Sequence, residues 1–330
     1  MRVLVALGGN AMTGPDGDPS PSAQQRAISA AAVHLADLAA AGHELVITHG
    51  NGPQVGNILR KNELSAHELP PVSLDWCGAQ TQGTIGFTIV SALELELAAR
   101  GLGNRVAAVV TRTVVDPDDP AFADPVKPIG SYQDADFAAE MTAHGQTWKD
   151  FGDKGWRRVV ASPDPVEILE TPMISFLADS GWIVVAAGGG GIPVLPADRG
   201  CAGVSAVIDK DLSAAKLAAS VDADLLIIAT DVPCAVAGFG TPDASDVGAV
   251  TAAELKALRA TGTFASGSMG PKVDALLDFV DNGGSRAVIA ELSQLASAVA
   301  GRVGTAVSSH GQAHSDDRVA ADVRESRDDQ

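Results

Sequence analysis

Three glycine-rich loops in the sequence are suited to bind an anion. They span residues 8–10 (GGN), 49–53 (HGNGP) and 188–193 (GGGGIP), and each follows a short apolar run. Glycine lets the backbone approach a ligand closely and direct its N–H groups at it, and a following helix adds the positive end of its dipole. A single loop of this kind is often only a tight turn, but three together indicate a site for a phosphate or carboxylate group.

Three lysines are placed where they can add positive charge to such a site. Lys210 lies between Asp209 and Asp211 at the predicted start of a helix, and Lys272 follows a glycine-containing segment at the start of another. Lys127 belongs to a segment rich in proline, glycine and aspartate. Most lysines are solvated surface residues. The neighbours of these three favour the alternative that they contact a phosphate group.

Several familiar catalytic sites are excluded by the sequence. It contains no G-x-x-x-x-G-K-[ST] phosphate loop and no G-x-S-x-G nucleophile motif, and residues 8–10 do not continue as G-x-G-x-x-G. Cys77, Cys201 and Cys234 are far apart and lack zinc-ligand spacing. Reduced thiols in a cytoplasmic protein are therefore expected, and the absence of a leader or a membrane-spanning run agrees with that interpretation.

The composition limits the class of protein. The chain has 330 residues, of which 46% are hydrophobic and 19% charged, and its length predicts two domains or one domain with two lobes. Its formal net charge is -18. Such an acidic chain repels polyphosphate backbones and anionic lipids, so nucleic acid and membrane surfaces are not expected partners.

The elements that must position these residues follow an alternating pattern. Brief apolar, β-branched runs predict buried strands at residues 2–7, 44–48, 105–110, 182–187, 224–229 and 286–290. Helical stretches are predicted at residues 22–41, 78–100, 163–180, 212–219, 252–260 and 272–280. This alternation predicts an α/β fold, a three-layer αβα sandwich around a largely parallel central sheet. In such a sheet ligands bind beyond the carboxyl ends of the strands, where the glycine loops lie.

Two segments interrupt the alternation. Residues 116–156 are rich in proline, glycine, aspartate and aromatic residues and include Tyr132, which predicts an inserted lid subdomain over a cleft. Residues 311–330 contain many acidic residues and almost no large apolar ones, which predicts a disordered tail. The remaining chain is divided into an N-terminal lobe, residues 1–200, and a C-terminal lobe, residues 201–310.

A series of longer motifs resembles the carbamate kinases of the amino-acid kinase superfamily. The motifs are ALGGNA (6–11), HGNGPQVGN (49–57), TQGTIGF (81–87), KPIG (127–130), GWRRVVASPDP (155–165), GGGGIPV (188–194), VIDKD (207–211) and FASGSMGPK (264–272). They run in order from the first strand to about residue 304. The loop at 230–234 (TDVPC) departs from the family pattern where it should border the nucleotide base, which puts the affinity for ADP in question.

The resemblance implies the amino-acid kinase fold and reversible phosphoryl transfer, in which carbamoyl phosphate and ADP give carbamate and ATP. It also implies a homodimer, with carbamoyl phosphate bound by the N-terminal lobe and the nucleotide by the C-terminal lobe. Magnesium is expected to be carried by the nucleotide, and no protein side chain is assigned as a metal ligand. Carbamoyl phosphate and ADP are therefore the expected partners.

The matched motifs also imply roles for individual residues. The expected catalytic residues are Lys210, Lys272 and Asp211, with Asp211 orienting the two lysines. The residues expected to bind carbamoyl phosphate are Gly8, Gly9, Asn10, Gly50, Asn51, Gly52, Lys127, Gly188 and Gly189. Those expected to bind the nucleotide are Thr230, Asp231, Met269, Gly270, Pro271 and Lys272.

Two other functions fit the same sequence. One is a kinase of another small carboxylate or carbamoyl compound, whose identity the lid around Lys127 and Tyr132 would determine. The other is a non-catalytic sensor of nucleotide or carbamoyl phosphate, for which the altered loop at 230–234 is the only support. The presence of all three lysines favours an active kinase over a sensor.

Overall fold

The computed structural model describes residues 1–9, 12, 18, 20–103, 105–264 and 269–308. Asn10 and the predicted tail at residues 311–330 lie outside the described residues. The helices are α1 (Pro21–Ala40), α2 (Gly52–Ser65), α3 (Leu74–Ala99), α4 (Ala135–Ala143), α5 (Thr171–Asp179), α6 (Lys210–Ser220), α7 (Ala252–Ala260), α8 (Met269–Asp281) and α9 (Leu295–Val299).

The first nine strands are β1 (Arg2–Leu7), β2 (Glu44–His49), β3 (Val106–Ala108), β4 (Arg112–Val115), β5 (Lys127–Gln133), β6 (Thr147–Asp150), β7 (Trp156–Val160), β8 (Pro165–Ile168) and β9 (Ile183–Val185). The others are β10 (Ile192–Ala197), β11 (Gly200–Gly203), β12 (Leu225–Thr230), β13 (Ala235–Ala237), β14 (Ser245–Val247), β15 (Ala249–Thr251), β16 (Arg286–Glu291) and β17 (Thr305–Ser308).

An eight-stranded sheet forms the middle of the molecule, in the order β15-β17-β16-β12-β1-β2-β9-β3. The six strands from β16 to β3 are mutually parallel, and β17 runs antiparallel to β16. One face packs against α1, α3 and α9 and the other against α5, α6 and α8, each with its own buried cluster. The structure therefore has the three layers and the largely parallel sheet that the sequence predicts.

The central sheet crosses the predicted boundary between the lobes. β1 lies between β2 and β12, and its register pairs Val3 with Leu45 on one side and with Leu225 on the other. The boundary after residue 200 falls in the hairpin formed by β10 and β11. The assignment of one ligand to each lobe stays a prediction, but the two lobes share one continuous sheet.

Three smaller sheets stand outside the central one in the described parts of the chain. β11, β10, β4 and β8 form one of them, and β13 and β14 form a two-stranded one. β5, β7 and β6 form a three-stranded antiparallel sheet, and α4 packs on β6 and β7. This three-stranded sheet and α4 form most of the predicted lid segment, residues 116–156. Its strand β7 continues beyond that segment to Val160.

Several local elements differ from the sequence prediction, among them β8, α2 and β17. The predicted helix at 163–180 is wrong in its first part, where β8 pairs with β4 and a new helix begins at Thr171 with a proline in its first turn. α2 was not predicted, because Gly52, Pro53 and Gly56 read as a loop. Proline fits the first turn of a helix, where its missing N–H has no partner to lose. β17 was also missed, since only four residues form it.

Candidate active site

Hydrogen bonds between neighbouring strands bring the glycine loops together. The N–H of Gly8 donates to the carbonyl of Ala229, 3.1 Å away, at the end of β12. The N–H of Gly50 donates to the carbonyl of Leu7, 3.0 Å away, at the end of β1. Three parallel strands thus end side by side, and α2 begins directly after the second loop, as expected for an anion site at a sheet edge.

A cavity of about 610 Å³ opens at this edge. It lies between the glycine loops, the first turns of α2, α6 and α8, and the lid strand β5. The predicted site residues that line it are Gly9, Gly50, Asn51, Gly52, Lys127, Gly189, Lys210, Asp211, Pro271 and Lys272. The candidate site is therefore one space that residues from both halves of the chain surround.

Asp211 holds two lysines at the bottom of this cavity. Its Oδ1 accepts a hydrogen bond from Lys210 Nζ at 2.6 Å, and its Oδ2 accepts one from Lys272 Nζ at 2.9 Å. Asp211 is 3% exposed. Burial lowers the pKa of Lys210, which the charge of Asp211 opposes and the charge of Lys272 reinforces. Two ammonium groups therefore share a single carboxylate, which leaves positive charge for an anionic ligand.

The lid carries a third lysine into the same cavity. Lys127 Nζ donates to Asp209 Oδ2 at 2.8 Å. Asp209 is the N-cap of α6, and its other oxygen accepts the N–H of Asp211 at 2.9 Å. Burial alone would raise the pKa of Asp209, but the charge and hydrogen bond of Lys127 and the N–H of Asp211 leave it lowered. Asp209 therefore stays ionised and ties the lid to the start of α6.

The glycines at 188–191 lie so close to their neighbours that side chains do not fit. A Cβ on Gly188 would lie 2.3 Å from His49 Nε2, and one on Gly189 would lie 2.2 Å from Asn51 Nδ2. His49 is fully buried, and its Nδ1–H donates to the carbonyl of Gly50 at 2.9 Å. Burial lowers the pKa of His49 to about 4, so the ring is neutral near pH 7. His49 supports the loop and does not line the cavity.

Replacing Gly189 by alanine is expected to lower the free energy of unfolding by about 2–4 kcal/mol. Two effects contribute to this loss. The backbone of Gly189 is left-handed, with φ of +66°, and an added Cβ would overpack the buried contact with Asn51. Urea unfolding measures the loss. Gly42→Ala is the matched control, because Gly42 has φ of +84° but open space around its Cβ. Equal losses in the two variants would contradict the steric part of this prediction.

Some predicted residues lie outside the cavity wall. Gly8, Gly188, Thr230, Asp231, Met269 and Gly270 are absent from its lining. Gly8 and Thr230 instead face each other, since a Cβ on Gly8 would lie 3.9 Å from Thr230 Cα. The position of Asn10 falls outside the described residues.

Three charged residues of the cavity were not assigned from the sequence. They are Arg60, Arg157 and Asp209. Arg157 lies within a matched motif and Asp209 beside a predicted catalytic residue, so both had a signal. Arg60 lies on α2, a helix that was not predicted, and had none.

Within the parts of the chain that the structure describes, no group of three or more His, Cys, Asp or Glu side chains is arranged to hold a metal ion. The helices in those parts are too short or too polar to span a bilayer. Lysine and arginine side chains supply the positive charge of the cavity lining.

The sequence was compared with known proteins. The model of the amino acid kinase family matches residues 1–291. A carbamate kinase of Thermococcus kodakarensis is 45% identical over 310 residues, which cover 93% of this chain and 98% of that protein. The chain belongs to the carbamate kinases of the amino acid kinase family. The resemblance seen in the motifs is thereby confirmed.

Further matches support the membership in this carbamate kinase group. The structure of a carbamate kinase from Giardia lamblia bound to AMP-PNP superposes with a TM-score of 0.89 at 37% identity, covering 93% of this chain and 98% of the other. A carbamate kinase-like protein of Escherichia coli, YqeA, is 40% identical over 310 residues, 93% of this chain and 98% of its own. The predicted amino-acid kinase fold is therefore confirmed over nearly the whole chain.

Proposed function

We propose that this protein catalyses reversible phosphoryl transfer, in which carbamoyl phosphate and ADP give carbamate and ATP. The observation that carries the proposal is the pair of ammonium groups of Lys210 and Lys272, whose largely buried side chains share the carboxylate of Asp211. Phosphoryl transfer needs positioned positive charge around the moving phosphoryl group more than it needs covalent chemistry. The two lysines and the N–H groups of the glycine loops can supply that charge together, since all of them border the same cavity.

No general base is required in either direction. Carbamate is already an anion and attacks the γ-phosphate through an oxygen that carries no proton. In the ATP-forming direction a β-phosphate oxygen of ADP attacks, and carbamate leaves with the electron pair of the broken O–P bond. The neutral, buried His49 and the lysine-bound carboxylates agree with a site that orients substrates and does not move protons.

The nucleotide is expected to bring magnesium with it. Among the described residues, Asp209 and Asp211 are the carboxylates of the cavity lining, and both already accept hydrogen bonds from lysine. Magnesium in such sites keeps several waters and is bound by substrate phosphates with at most one or two carboxylates, so this lining suits an ion that arrives with the nucleotide. When bound, the ion would neutralise phosphate charge. Lys272 and Pro271 at the start of α8 are the residues we assign to the nucleotide side.

An ATP-forming assay tests the proposed function. Purified protein with carbamoyl phosphate, ADP and Mg²⁺ is expected to release ATP, detected by a coupled luciferase reaction. Lys127→Ala is expected to raise the KM for carbamoyl phosphate with little change for ADP, and the surface variant Lys256→Ala serves as its control. An absence of ATP at micromolar enzyme would refute the proposal, and a change confined to ADP would refute the role of the lid.

A kinase of another small acyl phosphate is the second candidate. The cavity, at about 610 Å³, has room for more than carbamoyl phosphate and the terminal phosphate of a nucleotide. Offering acetyl phosphate and other acyl phosphates in the same assay separates the two functions. A kcat/KM for another acyl phosphate above that for carbamoyl phosphate would favour this second candidate.

We also propose a homodimer formed through α3. Three large apolar side chains on this helix are exposed, Trp76 at 62%, Phe87 at 70% and Leu95 at 73%. Trp76 and Phe87 are 11 residues apart, which is about three helical turns, so they lie on the same face of α3. Exposed apolar stripes of this kind are typical of subunit contacts.

The cytoplasm remains our proposed location, since Cys77, Cys201 and Cys234 are unpaired.

Phe87→Glu is expected to convert the dimer into a monomer, because it places a charge in the middle of the proposed contact. Sedimentation velocity measures the change in mass. Phe239→Glu is the matched control, since Phe239 is 79% exposed but lies outside α3. A monomeric wild type, or a Phe87→Glu variant that remains dimeric, would contradict the assignment.

A further inference from the structure

The charged side chains of the cavity differ in whether the protein neutralises them. Lys127 pairs with Asp209, and Lys210 and Lys272 pair with Asp211. Arg60 pairs with Glu63 at 3.0 Å. Arg157 lines the same cavity, yet it forms no salt bridge with any carboxylate in the described parts of the chain. The guanidinium of Arg157 is thus available to an anion without displacing a protein partner.

Arg157 is nevertheless held in a defined position. Its Nε donates to the carbonyl of Gly130 at 2.9 Å, and its guanidinium lies 5.1 Å from the centre of the Tyr132 ring. Tyr132 in turn packs edge to face on Phe151, with ring centres 5.9 Å apart. A cation over an aromatic face is attracted to it, and the bond at Nε fixes the plane of the group. The two terminal nitrogens remain for a ligand.

The same contacts place Arg157 beside the phosphate end of the site. A Cβ on Gly56 would lie 3.5 Å from Gly130 Cα, so β5 touches α2 at this point. Gly56 is one helical turn after Gly52, where α2 begins and where the glycine loop ends. The carbonyl of Gly130, which accepts the hydrogen bond from Arg157, is therefore about one turn of α2 away from the glycine loop at residues 49–53.

We propose that Arg157 binds the planar acyl group of the substrate, a role that rests on the proposed function. A guanidinium presents two parallel N–H groups that match two oxygens in one plane, whereas an ammonium group does not. The carbonyl and bridging oxygens of an acyl phosphate form such a pair. When the bridging O–P bond breaks, its electron pair stays on the acyl group and spreads over both oxygens, while a β-phosphate oxygen of ADP forms the new bond. Arg157 thus stabilises the leaving carbamate.

Steady-state kinetics with two acyl phosphates test this inference. Arg157→Gln is expected to lower kcat/KM for carbamoyl phosphate about 100-fold, the scale of one lost charge-stabilising donor, and to leave the KM for ADP within about threefold. Arg157→Lys should recover part of the loss, because it restores the charge without the fork. Acetyl phosphate presents the same two oxygens, so its rate should fall by the same factor. The matched control is Arg302→Gln, because Arg302 is exposed and does not line the cavity.

The role of the aromatic support has a separate readout. Tyr132→Phe keeps the ring under the guanidinium, so it is expected to raise the KM for carbamoyl phosphate less than Tyr132→Leu does. Thermal unfolding of each variant, measured beside the kinetics, checks that the lid remains folded. Unchanged kcat/KM in Arg157→Gln, or an effect confined to ADP, would overturn the inference.

A binding experiment separates this inference from the proposed function. Phosphonoacetate has a planar carboxylate, which presents two oxygens in one plane, and a phosphonate, but it cannot transfer a phosphoryl group. Titration calorimetry is expected to show at least tenfold weaker binding to Arg157→Gln than to the wild type and to Arg302→Gln. Equal affinity of all three would overturn the inference even if the wild type makes ATP. A wild type that makes no ATP yet loses affinity in Arg157→Gln would refute the proposed reaction alone.

Discussion

Replacing Lys210 by alanine is expected to lower the kcat of ATP formation by several hundredfold or more. The ammonium group lies deep in the cavity, 2.6 Å from Asp211, with its side chain against Gly50 of the second glycine loop. Losing one preorganised charge stabiliser of this kind typically costs about 3–4 kcal/mol of transition-state stabilisation. Lys272→Ala is expected to show a loss of the same size, because it approaches the same carboxylate from α8.

Stopped-flow or coupled assays at saturating carbamoyl phosphate and ADP measure this change in kcat. Lys256→Ala is the matched control, since Lys256 forms an exposed salt bridge with Asp281 and lies outside the cavity. Surface salt bridges of this kind contribute little, so the control should keep nearly full activity and stability. Turnover near that of the wild type in Lys210→Ala would contradict the assignment of Lys210 as a charge stabiliser in phosphoryl transfer.

Removing the shared carboxylate has the largest expected effect on stability. Asp211→Asn leaves the ammonium groups of Lys210 and Lys272 close together without a counter-ion. Asp211 is buried, and the side chains of the two lysines are 20% and 13% exposed. Breaking a buried ion pair by removing one partner costs about 3–5 kcal/mol. Urea unfolding should detect a loss of that size. Asp281→Asn, which removes the partner of an exposed pair, should change stability by less than about 1 kcal/mol.

The pH dependence of Asp211→Asn follows from the same charges. Burial and the neighbouring charge of Lys272 already lower the pKa of Lys210, and the loss of Asp211 removes the effect that opposes them. Lys210 then loses its proton at a lower pH in the folded variant than in the unfolded chain, so between those two pKa values its contribution makes the stability of the variant rise as the pH increases. Pyrophosphate should also stabilise the variant by binding the folded state. A stability that falls with pH would contradict this account.

The long, regular elements of the fold could be predicted from the sequence. β1 and α7 have the predicted bounds, because continuous apolar runs and a capped amphipathic helix leave strong local signals. β4 and β8 had weaker signals. Both have four residues with mixed burial, and they pair with each other only after the chain has folded. Periodicity over so few residues does not separate a strand from the start of a helix.

The sequence indicated which residues belong to the site, but it did not indicate which of their side chains contact each other. The motifs around Lys210 and Lys272 indicated phosphate binding, yet only the folded chain places both ammonium groups on one carboxylate. Arg157 belongs to a matched motif, but an arginine in a sequence is usually an exposed surface residue. Its position over Tyr132 depends on the pairing of β5 with β7, which sequence spacing alone does not specify.

The position of β1 also constrains how the enzyme is synthesised. β1 pairs with β2 within the first 50 residues, but its other neighbour, β12, begins more than 200 residues later. A nascent chain on the ribosome therefore exposes one edge of β1 until most of the protein has been translated. The cavity that the glycine loops share with the first turns of α6 and α8 forms only at that stage. Fragments that end before residue 225 should consequently have no activity and should depend on chaperones to remain unaggregated.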